Sequence, residues 1–142
     1  MEKIKVLFVC IHNSASSQMA EAFMNQLAGD KFEATSAGLE KGILNPLVVK
    51  VMDEIGIDIS KKLTKDVSDY YDTGHLFNYV ITVCDAANSE RCPIFPGVKK
   101  TLHWSFEDPA SFTGAEGERL QKTRVVRERI KQAVETFILL CS

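Results

Sequence analysis

The chain has no arginine before Arg91, so lysine and two histidines, His12 and His75, are the only basic side chains available in its first ninety residues. No apolar run approaches the length of a membrane span, and Met1-Glu2-Lys3-Ile4-Lys5 leads straight into a strand pattern rather than a signal peptide. Basic blocks are missing too: 17 Lys and Arg against 19 Asp and Glu give a net charge of -2, which argues against nucleic acid as the main partner. The four cysteines, at 10, 84, 92 and 141, are too few for a disulfide scaffold. The expected setting is therefore the cytoplasm, with neither a membrane nor a nucleic acid partner, where such thiols are catalytic, metal-binding or inert. A length of 142 residues suits one domain over 1–142 with a full hydrophobic core and no room for a second.

What is present centres on Val6-Leu7-Phe8-Val9-Cys10. Four apolar residues in a row before the cysteine predict a strand covered on both faces, as in a parallel sheet. Met19, Phe23 and Leu27, with Ala20 and Ala28 beside them, then recur at helical spacing and predict a helix packed back on that sheet. Cys10 falls at the turn between them. Amide groups at a strand-to-helix turn lack intrahelical acceptors and bind anions, and the same dipole favours a thiolate nucleophile. Asn13, Ser14, Ser16 and Ser17 suit a loop around an anion better than they suit a core.

Further along, residues 32–38 read as a second strand ending in small residues. Asn45-Pro46 followed by Leu47, Val48, Val51, Met52 and Ile55, then Gly56, reads as a capped helix. Residues 57–60 read as extended, and residues 64–71 as a short helix or loop. Residues 77–84 form the next expected strand, again ending on a cysteine. Residues 85–97 have no clear period and read as a mobile loop, residues 100–104 as the last strand, and Glu107-Asp108-Pro109-Ala110 as a turn. From about Glu116, Leu120, Val126, Ile130, Ala133, Val134, Phe137 and Leu140 mark a long terminal helix. The alternation predicts an α/β fold, a small four-stranded parallel sheet with right-handed crossovers and helices on both faces. Ligands bind beyond the carboxyl ends of such strands, where Cys10, Cys84 and Asp108 are all expected. His12, His75 and His103 read as surface or structural, and Cys141 as incidental.

Cys84 and Cys92 are separated by seven residues, too wide for a redox C-x-x-C and, without matching histidines, a poor zinc pattern. Three function classes fit: a thiol-coupled oxyanion reductase, a phosphomonoester hydrolase using Cys10 and Asp108, and an oxyanion-binding protein with little turnover.

The chain resembles the thioredoxin-coupled arsenate reductases, which have the low-molecular-weight protein tyrosine phosphatase fold. The resemblance rests on Val9-Cys10 through Ala22, Ser36-Ala37-Gly38, Asn45-Pro46 through Ile57-Asp58-Ile59-Ser60, Val83-Cys84-Asp85 to Cys92-Pro93, and His103-Trp104 to Asp108-Pro109-Ala110. It implies that Cys10 attacks arsenate held by the amides of Ile11, His12, Asn13, Ser14, Ala15, Ser16 and Ser17. Cys84 would then attack the arseno-cysteine and release arsenite, and Cys92 would form a disulfide with Cys84 that thioredoxin reduces. Asp108 matches the acid that protonates a leaving oxygen. No cofactor is required, although Asn13, Glu21, Ser36, Thr64 and Asp66 match a potassium site found in some members. One departure stands out, because the family's anion loop is C-x5-R and the sixth residue after Cys10 is Ser16.

Overall fold

The computed structural model describes residues 3–10, 15–39, 42–74, 76–83, 98–107 and 109–141. Strand β1 (Ile4–Cys10) is central, pairing in parallel with β2 (Phe32–Gly38) on one side and β3 (Tyr79–Thr82) on the other. β4 (Lys100–His103) pairs in parallel with β3, giving the order β2-β1-β3-β4. The expected four-stranded parallel sheet is thus observed.

The unbroken apolar run of β1 follows from its position, since Val6 to Val9 are completely buried. Alternation then sorts the strand. Val6, Phe8 and Cys10 face a large core shared with Met19, Phe23 and Met24 of α1 (Ser16–Ala28) and Val48 and Met52 of α2 (Pro46–Asp53). Val126, Ile130, Val134 and Phe137 of α4 (Glu116–Leu140) complete it. Leu7 and Val9 face a smaller cluster with Val67 of α3 (Val67–Asp72), Phe77 and Val80. Helices therefore cover both faces, and Cys10 lies on the α1 side.

Local chemistry sets the helix ends. The Asn45 side chain accepts from the Leu47 amide at 2.9 Å, Pro46 is the first helical residue of α2, and Gly56 beyond its end takes φ +81°, which favours glycine. Asp66 caps α3 by accepting from the Ser68 amide at 2.9 Å. Glu54, just past α2, accepts from Arg124 at 2.7 Å and Arg127 at 2.9 Å and so fastens α2 to α4; the Arg124 guanidinium holds the Glu54 carboxyl below the ordinary carboxylate range.

Several expectations need correction. β3 is shorter than residues 77–84, because Asn78 already bonds Lys5 through both its amide and its side-chain oxygen and the paired ladder starts after it. Residues 57–60 form no strand: Asp58 Oδ1 accepts from the Ser60 amide at 2.9 Å and starts a turn, with Ile59 buried. Leu27 and Leu140 are 45% and 81% exposed, since the buried stripes run through Met19, Phe23 and Met24 in α1 and end at Phe137 in α4. Residues 100–104 behave nearly as expected, since β4 stops at His103 but the Trp104 amide still donates to the Thr82 carbonyl at 2.7 Å.

Candidate active site

Cys10 ends β1 with 8% exposure, and its Sγ lies 2.8 Å from the Oγ of Ser17, which is fully buried. Ser17 is the second residue of α1, so the strand end and the helix start are joined by a sulfur-to-hydroxyl hydrogen bond. The first turn of α1 is unusual in burying three polar residues in a row, Ser16, Ser17 and Gln18. Its N-cap position is held by Ala15, which offers no side-chain acceptor, and the first ladder bond is Met19 amide to Ala15 carbonyl. The positive end of the helix dipole lies beside the cysteine. A cysteine sulfur and the positive end of a helix share one buried corner.

That corner is braced from α1. Gln18 Nε2 donates to the Leu63 carbonyl at 3.1 Å, and one turn later Glu21, 2% exposed, accepts from Ser36 Oγ at 3.1 Å and from Lys62 Nζ at 2.8 Å. Lys65 Nζ stands 3.8 Å from the same carboxylate, and its carbonyl accepts from the Gly38 amide at 2.7 Å. The Leu39 amide donates to the Cys10 carbonyl at 2.9 Å, so the end of β2 is tied to the cysteine itself. At the far end of the sheet's carboxyl edge, Thr82 Oγ1 and His103 Nδ1 are 2.7 Å apart, in keeping with a structural role for that histidine.

Of the residues singled out from the sequence, the structure brings together Cys10, Ser16 and Ser17 in one corner and Glu21 with Ser36 behind it. Thr64 and Asp66 are turned to other partners: the Thr64 hydroxyl donates to the Gly42 carbonyl at 2.6 Å, and Asp66 Oδ1 accepts from the amide and hydroxyl of Ser68. Ile11, His12, Asn13, Ser14, Cys84, Cys92, Asp108 and the loop 85–97 lie outside the described residues. Sequence reasoning missed the hydroxyl of Ser17 as the partner of Cys10, counting it only for its amide. It also missed Lys62 and Lys65, whose spacing from Glu21 carries no periodic signal. Among the described residues no group of three or more His, Cys, Asp or Glu could hold a metal, and no helix is long and apolar enough to cross a membrane.

A parallel sheet whose central strand delivers a buried, hydroxyl-bonded cysteine to a helix start is a frame for cysteine chemistry on oxyanions. The chain belongs to the low molecular weight phosphotyrosine protein phosphatase family, which it matches over residues 5–139. Within that family it is similar to the arsenate reductase of Bacillus licheniformis, 41% identical over 137 residues that cover 96% of either chain. A solved arsenate reductase in its phosphate binding state superposes with a TM-score of 0.80 at 32% identity, covering 98% of this chain and 99% of that one. The thioredoxin-dependent arsenate reductase of Corynebacterium glutamicum gives a TM-score of 0.63 at 28% identity, over 94% of this chain and 63% of that one.

Proposed function

We propose that this chain reduces arsenate to arsenite through a thiol relay that begins at Cys10 and is recycled by thioredoxin in a reducing cytoplasm. The observation that carries the reading is the 2.8 Å contact between Cys10 Sγ and Ser17 Oγ at the start of α1. The contact holds the sulfur at the helix start, where the amides and the dipole favour a bound anion beside it. The Cys10 thiolate attacks arsenic, a bond from sulfur to arsenic forms, and an oxygen leaves as water with a proton supplied by Asp108. Cys84 then attacks Cys10 sulfur; the electron pair of the breaking bond stays on arsenic, which leaves as arsenite, and a Cys10 to Cys84 disulfide remains. Cys92 attacks Cys84, frees Cys10 and leaves the Cys84 to Cys92 disulfide for thioredoxin. The roles of Cys84, Cys92 and Asp108 rest on the family likeness.

The test is arsenate-dependent oxidation of thioredoxin by the full chain. Cys10→Ser should abolish it, whereas Cys92→Ser should still release one equivalent of arsenite and trap Cys10 to Cys84. Hydrolysis of a phosphomonoester with no arsenite formed would replace this reading with the hydrolase.

Ser17→Ala should slow alkylation of Cys10 by iodoacetamide at neutral pH about tenfold, the equivalent of roughly 1.5 kcal/mol for a hydrogen bond to a charged group. Ser17→Thr, which keeps the hydroxyl, should stay near the parent rate. An unchanged rate in Ser17→Ala would mean that the thiol, not the hydroxyl, is the donor.

A further inference from the structure

Glu21 is a carboxylate held almost wholly out of water in α1, directly behind the turn that carries Ser17. An ion in such a place needs a counter-charge. The potassium site expected from the family would supply one from outside, but the described members of the set do not fit a bare cation. A hard cation asks for several oxygens converging on one point. Here Glu21 Oε2 is met by Lys62 Nζ at 2.8 Å, while Glu21 Oε1 accepts from Ser36 Oγ at 3.1 Å and lies 3.8 Å from Lys65 Nζ. The Thr64 hydroxyl is spent on the Gly42 carbonyl and Asp66 Oδ1 on Ser68.

We infer that the Lys62 ammonium, assisted by Lys65, is a built-in monovalent cation that occupies the seat beside Glu21 and makes the protein independent of potassium. An ammonium carries the same single charge as potassium and is of similar size, but its donors are directional and it arrives on the chain. The consequence is architectural. Lys62 ties α1 to the stretch 60–65; that stretch holds Gly38 through the Lys65 carbonyl and Gly42 through Thr64, and the neighbouring Leu39 amide holds the Cys10 carbonyl. The covalently attached cation thus fixes the chain beside the nucleophile without an ion that salt conditions could remove.

The experiment is thermal unfolding of the full chain in potassium chloride, sodium chloride and choline chloride at equal ionic strength, a readout that needs no arsenate and stands apart from the proposed activity. The parent chain should melt at the same temperature in all three. Lys62→Met/Lys65→Met should melt several degrees lower in choline and recover with a saturable dependence on potassium, as a site that binds only the folded state does. Lys62→Met alone should fall between. The inference is overturned by saturable stabilisation of the parent by potassium over choline, a reading that stands even where the double variant fails to fold. It is equally overturned by a double variant that loses stability without recovering in potassium, or that loses none.

Discussion

Ser16→Arg is expected to raise arsenate turnover by about a hundredfold or more, the scale of one oxyanion donor, while tightening phosphate inhibition much less. Ser16 is the first residue of α1, 5% exposed, and adjoins Ser17, which bonds Cys10. At that position a hydroxyl gives at most one neutral hydrogen bond, whereas a guanidinium gives two parallel donors and a permanent charge. Backbone amides and the helix dipole are the same in both proteins, so they set ground-state binding of any tetrahedral anion. The added charge acts most where negative charge moves from the oxyanion to the leaving oxygen, and is therefore realised in turnover rather than affinity. Loss of such a donor costs roughly 2.7 to 4 kcal/mol, a factor of about a hundred to a thousand. Steady-state arsenate reduction and phosphate inhibition measured side by side separate the two effects. A gain below about threefold, far short of that scale, would show that another cation already serves the anion, with Arg91 the first to substitute.

The contrast between Ser16 and Ser17 also shows what a sequence can and cannot reveal. Cys10 was legible as the pivot because a buried strand, a thiol and a polar turn follow one another within a few residues. The bounds of β2 and the start of α2 were legible for a related reason: small residues at 36–38, and Asn45 and Pro46, act through their own backbone geometry. The end of α2 was not, since the helix stops at Asp53 and leaves Ile55, read as part of it, 40% exposed in the turn before Gly56. What stayed hidden are pairings across long stretches of chain. Lys62 meets Glu21 41 residues away, and Arg124 meets Glu54 70 residues away, contacts that depend on how finished elements dock. α3 was ambiguous because it buries only Val67, leaving no apolar stripe to read, and its start is marked by a single capping aspartate. Ser17 was hidden differently: a serine within a polar turn shows its hydroxyl's target only once β1 and α1 meet.

Phe8→Ala should cost about 3 to 5 kcal/mol of stability, the range for truncating a fully buried aromatic residue, and lower the melting temperature by roughly 10 to 17 °C. Phe8 is completely buried on the face of β1 that also carries Cys10, two residues before it. Its ring stands 5.7 Å from that of Trp104, which in turn lies 6.2 Å from Phe137 of α4, so one side chain links the central strand, the exit from β4 and the terminal helix. Neighbours fixed in a sheet and a long helix can move little into the space left behind, and the cavity penalty adds to the lost transfer energy. Ile43→Ala is the matched comparison, since Ile43 is 86% exposed and its truncation should stay within about 0.5 kcal/mol. Circular dichroism in a urea titration reads both without relying on Trp104, whose surroundings the first substitution alters. A cost for Phe8→Ala under about 1 kcal/mol, below the range for any large core truncation, would mean that the helices close over the gap. The position of Cys10 would then depend on the polar ties from Ser17 and Leu39 rather than on the packing beneath it.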